Sequence, residues 1–262
     1  MKYILAAFCV VMVFCCGAQS HQSPFKLDIR TDLTLLGTSV GSCIWAYAVN
    51  QRLQEVSQTD LANISTSDIN ALDRGLALSY SQNAQLASDV GFFAALALPG
   101  LFLSKKVNRS EYGRILVMGT EAGLLTTGLT FLAKGSSQRL RPYAYNGTVP
   151  ISSKLDKDTR RSFFSGHTSL SACASFFTAY TLTQYNLKSW QKTVVWTSAI
   201  TIPAFVGAMR VQGGKHFVTD VLAGYAAGAL VGFGIPYLHK IEKAAFSLST
   251  SYNGLSITYH IQ

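Results

Sequence analysis

From Leu33 onward the chain alternates apolar runs with short polar turns. The runs are Leu33 to Val49, Val90 to Leu103, Ile115 to Leu132, Leu170 to Leu187, Thr193 to Ala208 and Val221 to Leu238. Each has the length of a helix rather than a strand, which predicts an all-α helical bundle with five or six transmembrane helices. Leu33 to Val49 is the most polar of the set and is the weakest candidate to span. Between it and the next run lies a long polar stretch, Gln51 to Asp89, with Asp60, Asp68 and Asp73 and helical spacing at Leu72, Leu76 and Leu86. It is expected to be a helical excursion, read first as a solvent-facing helix pair and second as an amphipathic segment lying on the membrane or folding over the site. Glu121, inside the third run, would be costly facing lipid and so should face the bundle, where a structural hydrogen bond is its expected role. The tail from Phe246 to Ile261 alternates on both sides of Asn253-Gly254, which predicts a short C-terminal β-hairpin.

Composition sharpens the membrane reading. Apolar residues make up 48% of the chain and charged residues 13%, about half the usual charged share of a soluble domain. Residues 1–20 carry Lys2, an apolar run and then small residues, the layout of a signal peptide. The expected organisation is therefore a signal at 1–20, an apolar segment with a polar helical excursion at 21–89, a helical core at 90–245 and a hairpin-like tail at 246–262. Beyond the signal only Cys43 and Cys173 remain; both lie in apolar runs and are expected to be buried small hydrophobes rather than a disulfide.

The net charge is +9, but the basic residues are not interleaved with aromatics as in a nucleic-acid module, so no nucleic-acid partner is expected. One group, Lys105, Lys106, Arg109 and Arg114, fits the cytoplasmic edge of a membrane protein. A second group, from Lys134 to Arg161, fits an anionic substrate, and three polar clusters stand out. The first runs from Lys134 to Arg141-Pro142 and includes Arg139; the second is Ser165-Gly166-His167 at the head of an apolar helix; the third runs from Arg210 through Lys215 and His216 to Asp220. Fixed cations, free N–H groups at a helix start and imidazoles are what a phosphate site requires. His216 and Asp220 are four apart, so on one helical turn the carboxylate could take the imidazole N–H and leave the other nitrogen free. The order of apolar runs places all three clusters on the same side of the membrane.

These clusters resemble the signature of the type-2 phosphatidic-acid phosphatase and vanadium-haloperoxidase superfamily. Lys134, six residues, Arg141-Pro142 meets the first motif in full. Ser165-Gly166-His167 meets the second with Phe164 in place of Pro, and Arg210, five residues, His216, three residues, Asp220 meets the third with Met209 in place of Ser. The resemblance implies a phosphatase in which His216 is the nucleophile, His167 the general acid and base, and Asp220 the group that orients His216. It implies further that Lys134, Arg141, Ser165, Gly166 and Arg210 bind the substrate phosphate. No run of residues has metal-ligand spacing, so neither a metal nor another cofactor is expected. Arg139 and Lys215 fall in motif gaps, and their roles are open between substrate and water. His21, His239 and His260 are expected at a surface or interface.

The expected substrate is a lipid phosphate monoester or diphosphate, of the phosphatidate, phosphatidylglycerol phosphate, undecaprenyl diphosphate or lipid A class, hydrolysed through a phosphohistidine. The partners are then that lipid and the membrane, with no protein partner identifiable. If the basic turn at Lys105 is cytoplasmic, the helix at 115–132 delivers Lys134 to the outer face, so a bacterial inner-membrane protein with its site facing the periplasm is expected. A soluble periplasmic acid phosphatase of the same superfamily is the alternative. From other classes stand a vanadium-dependent haloperoxidase and a non-catalytic phospholipid-binding membrane protein.

Overall fold

The computed structural model describes residues 23–103 and 107–241, and residues 246–251 and 254–259 by their backbone. The expected signal at 1–20, and Lys105, Lys106, Lys243 and His260, lie outside the described residues. Six long helices carry the fold: α1 (Ile29–Gln51), α2 (Gln82–Ala97, prolonged by a 3-10 stretch to Leu103), α3 (Tyr112–Ser137), α4 (Gly166–Thr183), α5 (Ser189–Gln212) and α6 (Val218–Leu238). After them β1 (Phe246–Ser251) and β2 (Gly254–Tyr259) pair antiparallel, with Leu248 opposite Ile257.

Among the described residues, four stretches are long and apolar enough to cross a membrane: Gln82–Leu103, Arg109–Tyr145, Ser189–Gln212 and Val218–Leu238. Helix α4 falls below that mark because it lies in the middle, in contact with α2, α3, α5 and α6. Its Thr168, Ser169, Ser171, Ser175, Thr178 and Thr181 are all buried. A helix covered by other helices need not be lipid-compatible, and its hydroxyls can bond within the bundle. Ser169 Oγ meets Thr130 Oγ1 of α3 at 2.9 Å, and Thr178 donates to the carbonyl of Ala174 at 2.7 Å.

Lipid tails are as apolar as leucine, so helices in a membrane associate through close packing rather than through escape from water. Helix α6 supplies the means. Gly224, Gly228 and Gly232 are spaced four apart and form one ridge, and it faces Ser165, Ser169 and Cys173 on α4, also spaced four apart. A Cβ at Gly228 would lie 1.9 Å from the Ser169 carbonyl oxygen; at Gly232 it would lie 2.3 Å from the Cys173 oxygen. The two backbones therefore touch directly, and this contact sets the position of the α4 N-terminus. Helix α3 does the same to α1 at Gly128, where a Cβ would lie 2.8 Å from Ser42 Cβ. At the other end of the bundle, Phe102, Ile115, Met118, Phe177 and Tyr180 form an apolar core. Cys43 and Cys173 are free thiols, the first half-buried and the second buried.

The polar stretch before α2 does not stand off in solvent. Ile69 and Ala77 are buried with Phe217, just before α6, and the Asp73 carboxylate accepts from the backbone N–H and hydroxyl of Thr219 at 2.9 and 2.6 Å. Of the two readings of this segment, the structure shows the one that folds over an end of the bundle. Its polar sequence conceals this because the contacts are made by one carboxylate and a few small or aliphatic residues.

The glycine ridge makes a specific prediction. Gly228→Ala should destabilise the protein by about 1–3 kcal/mol or more, the usual cost of overpacking, because backbone cannot yield as a side chain can. Gly234→Ala on the same helix, where a Cβ meets nothing within 4 Å, should be neutral or gain up to about 1 kcal/mol of helix propensity. Thermal unfolding in detergent of the two variants side by side measures the difference.

Candidate active site

Helices α1, α3 and α5 end, and α2, α4 and α6 begin, at one end of the bundle, so three separated loops converge there. The end of α3 and its connection to α4 bring Lys134, Arg139, Arg141, Ser162 and Ser165, with His167 on the first turn of α4; the end of α5, the turn after it and the start of α6 bring Arg210, Lys215, His216 and Asp220. All of the residues expected to form the site lie in this one region.

His216 is buried, and Nδ1 lies 2.8 Å from the carbonyl oxygen of Ser162. A carbonyl only accepts, so Nδ1 carries the proton and Nε2 keeps its lone pair. Burial, together with the charges of Lys134, Arg141 and Arg210, holds the imidazole well below its ordinary value of 6.5. It is therefore neutral at physiological pH. The expected direct orientation of His216 by Asp220 is not what the structure shows. His216 precedes α6 instead of lying on it, so the helical four-residue spacing does not apply, and Nδ1 stands 3.7 Å from Asp220 Oδ2.

Asp220 acts instead through a neighbour. Its Oδ2 accepts a short hydrogen bond from the Ser162 hydroxyl and a 2.9 Å bond from the Phe217 N–H. Ser162, which sequence reasoning left without a role, thus receives the carboxylate on its side chain and holds the imidazole with its carbonyl. Asp220 Oδ1 accepts from Arg139 at 2.6 Å. The same guanidinium donates to Asp73 Oδ2 at 2.7 Å and to Thr219 Oγ1 at 2.9 Å, and lies 4.1 Å from the centre of the Phe217 ring. Both terminal nitrogens of Arg139 are therefore engaged by protein groups. Desolvation would raise the Asp73 carboxyl, but its bonds to Thr219, Arg139 and Asn70 outweigh that and leave it lowered.

The cations form the wall of the site. Lys134 Nζ donates to the Arg161 carbonyl at 2.6 Å. Arg141 donates to the backbone and carboxylate of Asp158, both at 3.0 Å. Arg210 bonds Ser88 and Asp89 at 3.3 Å, while its buried Nε has no partner among the described residues. A buried guanidinium with an idle donor is poised for an anion. Arg141 and Arg210 both act electrostatically on His216 and on His167, disfavouring a positive charge on either ring. Lys215 Nζ sits 5.2 Å from the centre of the Tyr143 ring; burial first, then Arg141 and Arg210, lowers its pKa. Ser165 caps α4 by accepting from the Thr168 N–H at 3.4 Å, and Gly166 begins the helix, where the first N–H groups have no intrahelical acceptor. A Cβ at Gly166 would come to 3.8 Å from Lys134 Cε.

His167 Nε2 lies 3.0 Å from Asp89 Oδ1, and its ring packs on Phe92 with centroids 4.5 Å apart. Both partners come from α2. Asp89 was legible only as the last polar residue before an apolar run, and that is the position from which an acid at a membrane face can reach a site.

Residues 115–243 match the model of the PAP2 superfamily. These residues form a PAP2 superfamily domain. All three motifs fall inside it, and its two departures are accommodated locally: the buried Phe164 ring lies against Gly224, whose Cβ would meet it at 3.4 Å, and Met209 supplies a carbonyl to the Gly213 N–H at 2.9 Å. The chain is 27% identical over 214 residues to the lipid A 1-phosphatase of Porphyromonas gingivalis, covering 81% of this chain and 39% of that protein. It is 39% identical over 85 residues to phosphatidylglycerophosphatase B of Bacillus subtilis, covering 32% of this chain and 42% of that one. The chain thus spans about two fifths of the length of these relatives. The solved structure of a transmembrane PAP2 type phosphatidylglycerolphosphate phosphatase from Bacillus subtilis is similar with a TM-score of 0.47 at 23% identity, covering 77% of this chain and 95% of that chain. The PAP2 match and the four apolar stretches among the described residues make this a membrane protein.

The depressed pKa of His216 has a direct signature. Because the folded value lies below 6.5, protonation is lost well before neutrality as pH rises. Nitrogen NMR of histidine-labelled protein should show one ring neutral from pH 8 down past 6, in the Nδ1–H tautomer. That signal should be missing in His216→Ala. A His216 signal that titrates at or above 6.5 would contradict the buried, cation-faced setting.

Proposed function

We propose that this PAP2 protein is a lipid phosphatase that works through a phosphohistidine on His216. The observation that carries the reading is the pairing of a neutral imidazole, held by the Ser162 carbonyl so that Nε2 is free, with Arg210 and its unpartnered Nε. A phosphomonoester resists attack because its negative oxygens repel nucleophiles. Lys134, Arg141 and Arg210, with the Ser165 hydroxyl and the Gly166 amide, neutralise those oxygens, and most strongly as charge builds on them. His216 Nε2 gives its lone pair to phosphorus and the bond to the leaving oxygen breaks. His167 donates a proton to that oxygen, then removes one from water. The hydroxide adds to phosphorus, the N–P bond breaks, and inorganic phosphate leaves with His216 restored. Asp89 positions His167, while Asp220 positions His216 through Ser162.

A lipid is the substrate class that fits the surroundings. An apolar cavity of about 530 Å³ lies between α2, α3 and α4, lined by residues such as Leu96, Phe102, Leu116, Leu170 and Phe177. Leu170 is one turn along α4 from His167, so an acyl chain in the cavity would bring its phosphate towards the site. The relatives' names point to several lipid phosphates, and the fit here is to that class. We read residues 90–245 as the phosphatase core, with Asp73 and Asp89 added from the preceding segment. The basic residues Lys105, Lys106, Arg109, Arg114, Lys240 and Lys243 lie at the sequence positions opposite the site end. They favour an inner-membrane protein with its site towards the periplasm.

The test is phosphate release by purified protein in the presence of a chelator, from detergent-dispersed lipid phosphates and from a soluble aryl phosphate. Release should favour the lipids, vanish in His216→Ala, and fall about 100- to 1000-fold in kcat for Arg210→Ala, the usual cost of removing one anion-stabilising donor. Equal turnover of the aryl ester by protein recovered without detergent would replace the lipid reading with that of a soluble acid phosphatase. Undiminished release in His216→Ala would overturn the histidine mechanism.

A further inference from the structure

At the far end of the bundle from the phosphate site, three groups from three helices meet: Asp32 near the start of α1, Glu121 in α3, and His239 just after α6. Glu121 lies 13 residues before Lys134, about 20 Å along the helix. One ligand atom from each of the three falls within 4.8 Å of the other two. His239 was expected at a surface, yet it is buried; Glu121 faces the bundle as expected, but neither carboxylate oxygen has a hydrogen-bond partner. A fully buried carboxylate without a partner is costly, and a structure that keeps one needs something to meet it.

The orientation of the imidazole says what is missing. His239 Nδ1 lies 2.8 Å from the Ile235 carbonyl oxygen, so Nδ1 carries the proton. In the neutral ring Nε2 then points its lone pair at Asp32 Oδ1, 2.8 Å away, and at Glu121 Oε2, 3.5 Å away; in the imidazolium it would instead donate to them. Three acceptors facing one another repel unless a proton or a metal cation lies between them. A backbone carbonyl on one ring nitrogen, with the other nitrogen turned to carboxylates, is the usual arrangement of a metal-bound histidine. We propose that Asp32, Glu121 and His239 bind one divalent transition-metal ion, best matched by zinc, at a structural site separate from the phosphate site. One imidazole and two carboxylates suit zinc, the two negative charges neutralise it, and water would complete a tetrahedron. Asp32 keeps a small exposed edge, 13% of its side chain, through which an ion enters. The bound ion would tie the start of α1 and the end of α6 to the middle of α3.

The three positions are spread over 207 residues of sequence, so no local spacing announces the site. The test uses full-length protein in detergent, stripped with a chelator, given equimolar zinc chloride and exchanged into metal-free buffer. Retained zinc is measured by mass spectrometry, and the thermal midpoint is measured with and without zinc. Wild type should retain about one zinc per chain and gain in midpoint on loading. Glu121→Gln and His239→Gln should lose both, and His216→Ala should lose neither. Asp32→Asn, nearer the surface, serves as a third variant if either of the first two fails to fold. Wild type that retains no zinc would overturn the site and leave His239 as an imidazolium paired with the two acids. Zinc retained equally in the variants would place the metal elsewhere and overturn it as well.

Discussion

The carboxylate of Asp220 is the node on which the phosphate site depends. It is buried, and it bonds Arg139 from the loop after α3, Ser162 from the loop before α4, and the Phe217 N–H at the start of its own helix. Both ends of the connection between α3 and α4 and the start of α6 are thus held to one pair of oxygens. Burying such a charge is costly unless every lone pair is met, and breaking a buried pair typically costs about 3–5 kcal/mol because the other charge is stranded. Arg139 shares its charge between Asp220 and Asp73, so the polar segment before α2 is drawn into the same network. The reactive imidazole is held one step away, by the carbonyl of the serine that Asp220 grips. Asp220 can therefore hold its place in the network whatever charge the histidine gains during a reaction.

This polar network needs a rigid floor, and the glycine ridge of α6 provides it. With Gly224 against the Ser165 backbone, the loop that carries His167 is fixed relative to the helix that carries Asp220. Ser165 N–H also donates to the Asp220 carbonyl at 3.0 Å, so the two helix starts are joined by backbone as well as by side chains. Close packing below and a saturated hydrogen-bond network above leave few groups at the site free. Nε2 of His216 and Nε of Arg210 are two such groups among the described residues, and they are where substrate is expected to act.

The alternation of apolar runs was enough to show the bundle, and the spacing of cations and histidines was enough to pick out residues that the fold gathers at one end of it. Those signals survive because each depends on residue types that are rare in a membrane chain. What could not be read was which partner each polar group takes. The four-residue spacing of His216 and Asp220 suggested a direct bond, but the turn at Gly214, with φ of 68°, sets His216 off the helix, so the bond goes to Ser162. Arg139 was ambiguous because a guanidinium in a motif gap could serve substrate or structure, and only the position of Asp73 decides it. Asp73 and Asp89 come from a stretch whose composition suggested solvent. The trio of Asp32, Glu121 and His239 has no local pattern because α1, α3 and α6 bring it together only on packing.

The central claim is that His216 is the atom-transfer partner of phosphorus, and the most direct measurement is to catch the bond. Purified enzyme would be mixed with a lipid substrate labelled in its phosphate and quenched in alkaline detergent, which preserves an N–P bond that acid would cleave. The label should then be located by peptide mass spectrometry. Phosphate on His216 and on no other residue is the expected result. Phosphate on His167 or on a hydroxyl side chain, or full turnover with no labelled enzyme at any time, would contradict it.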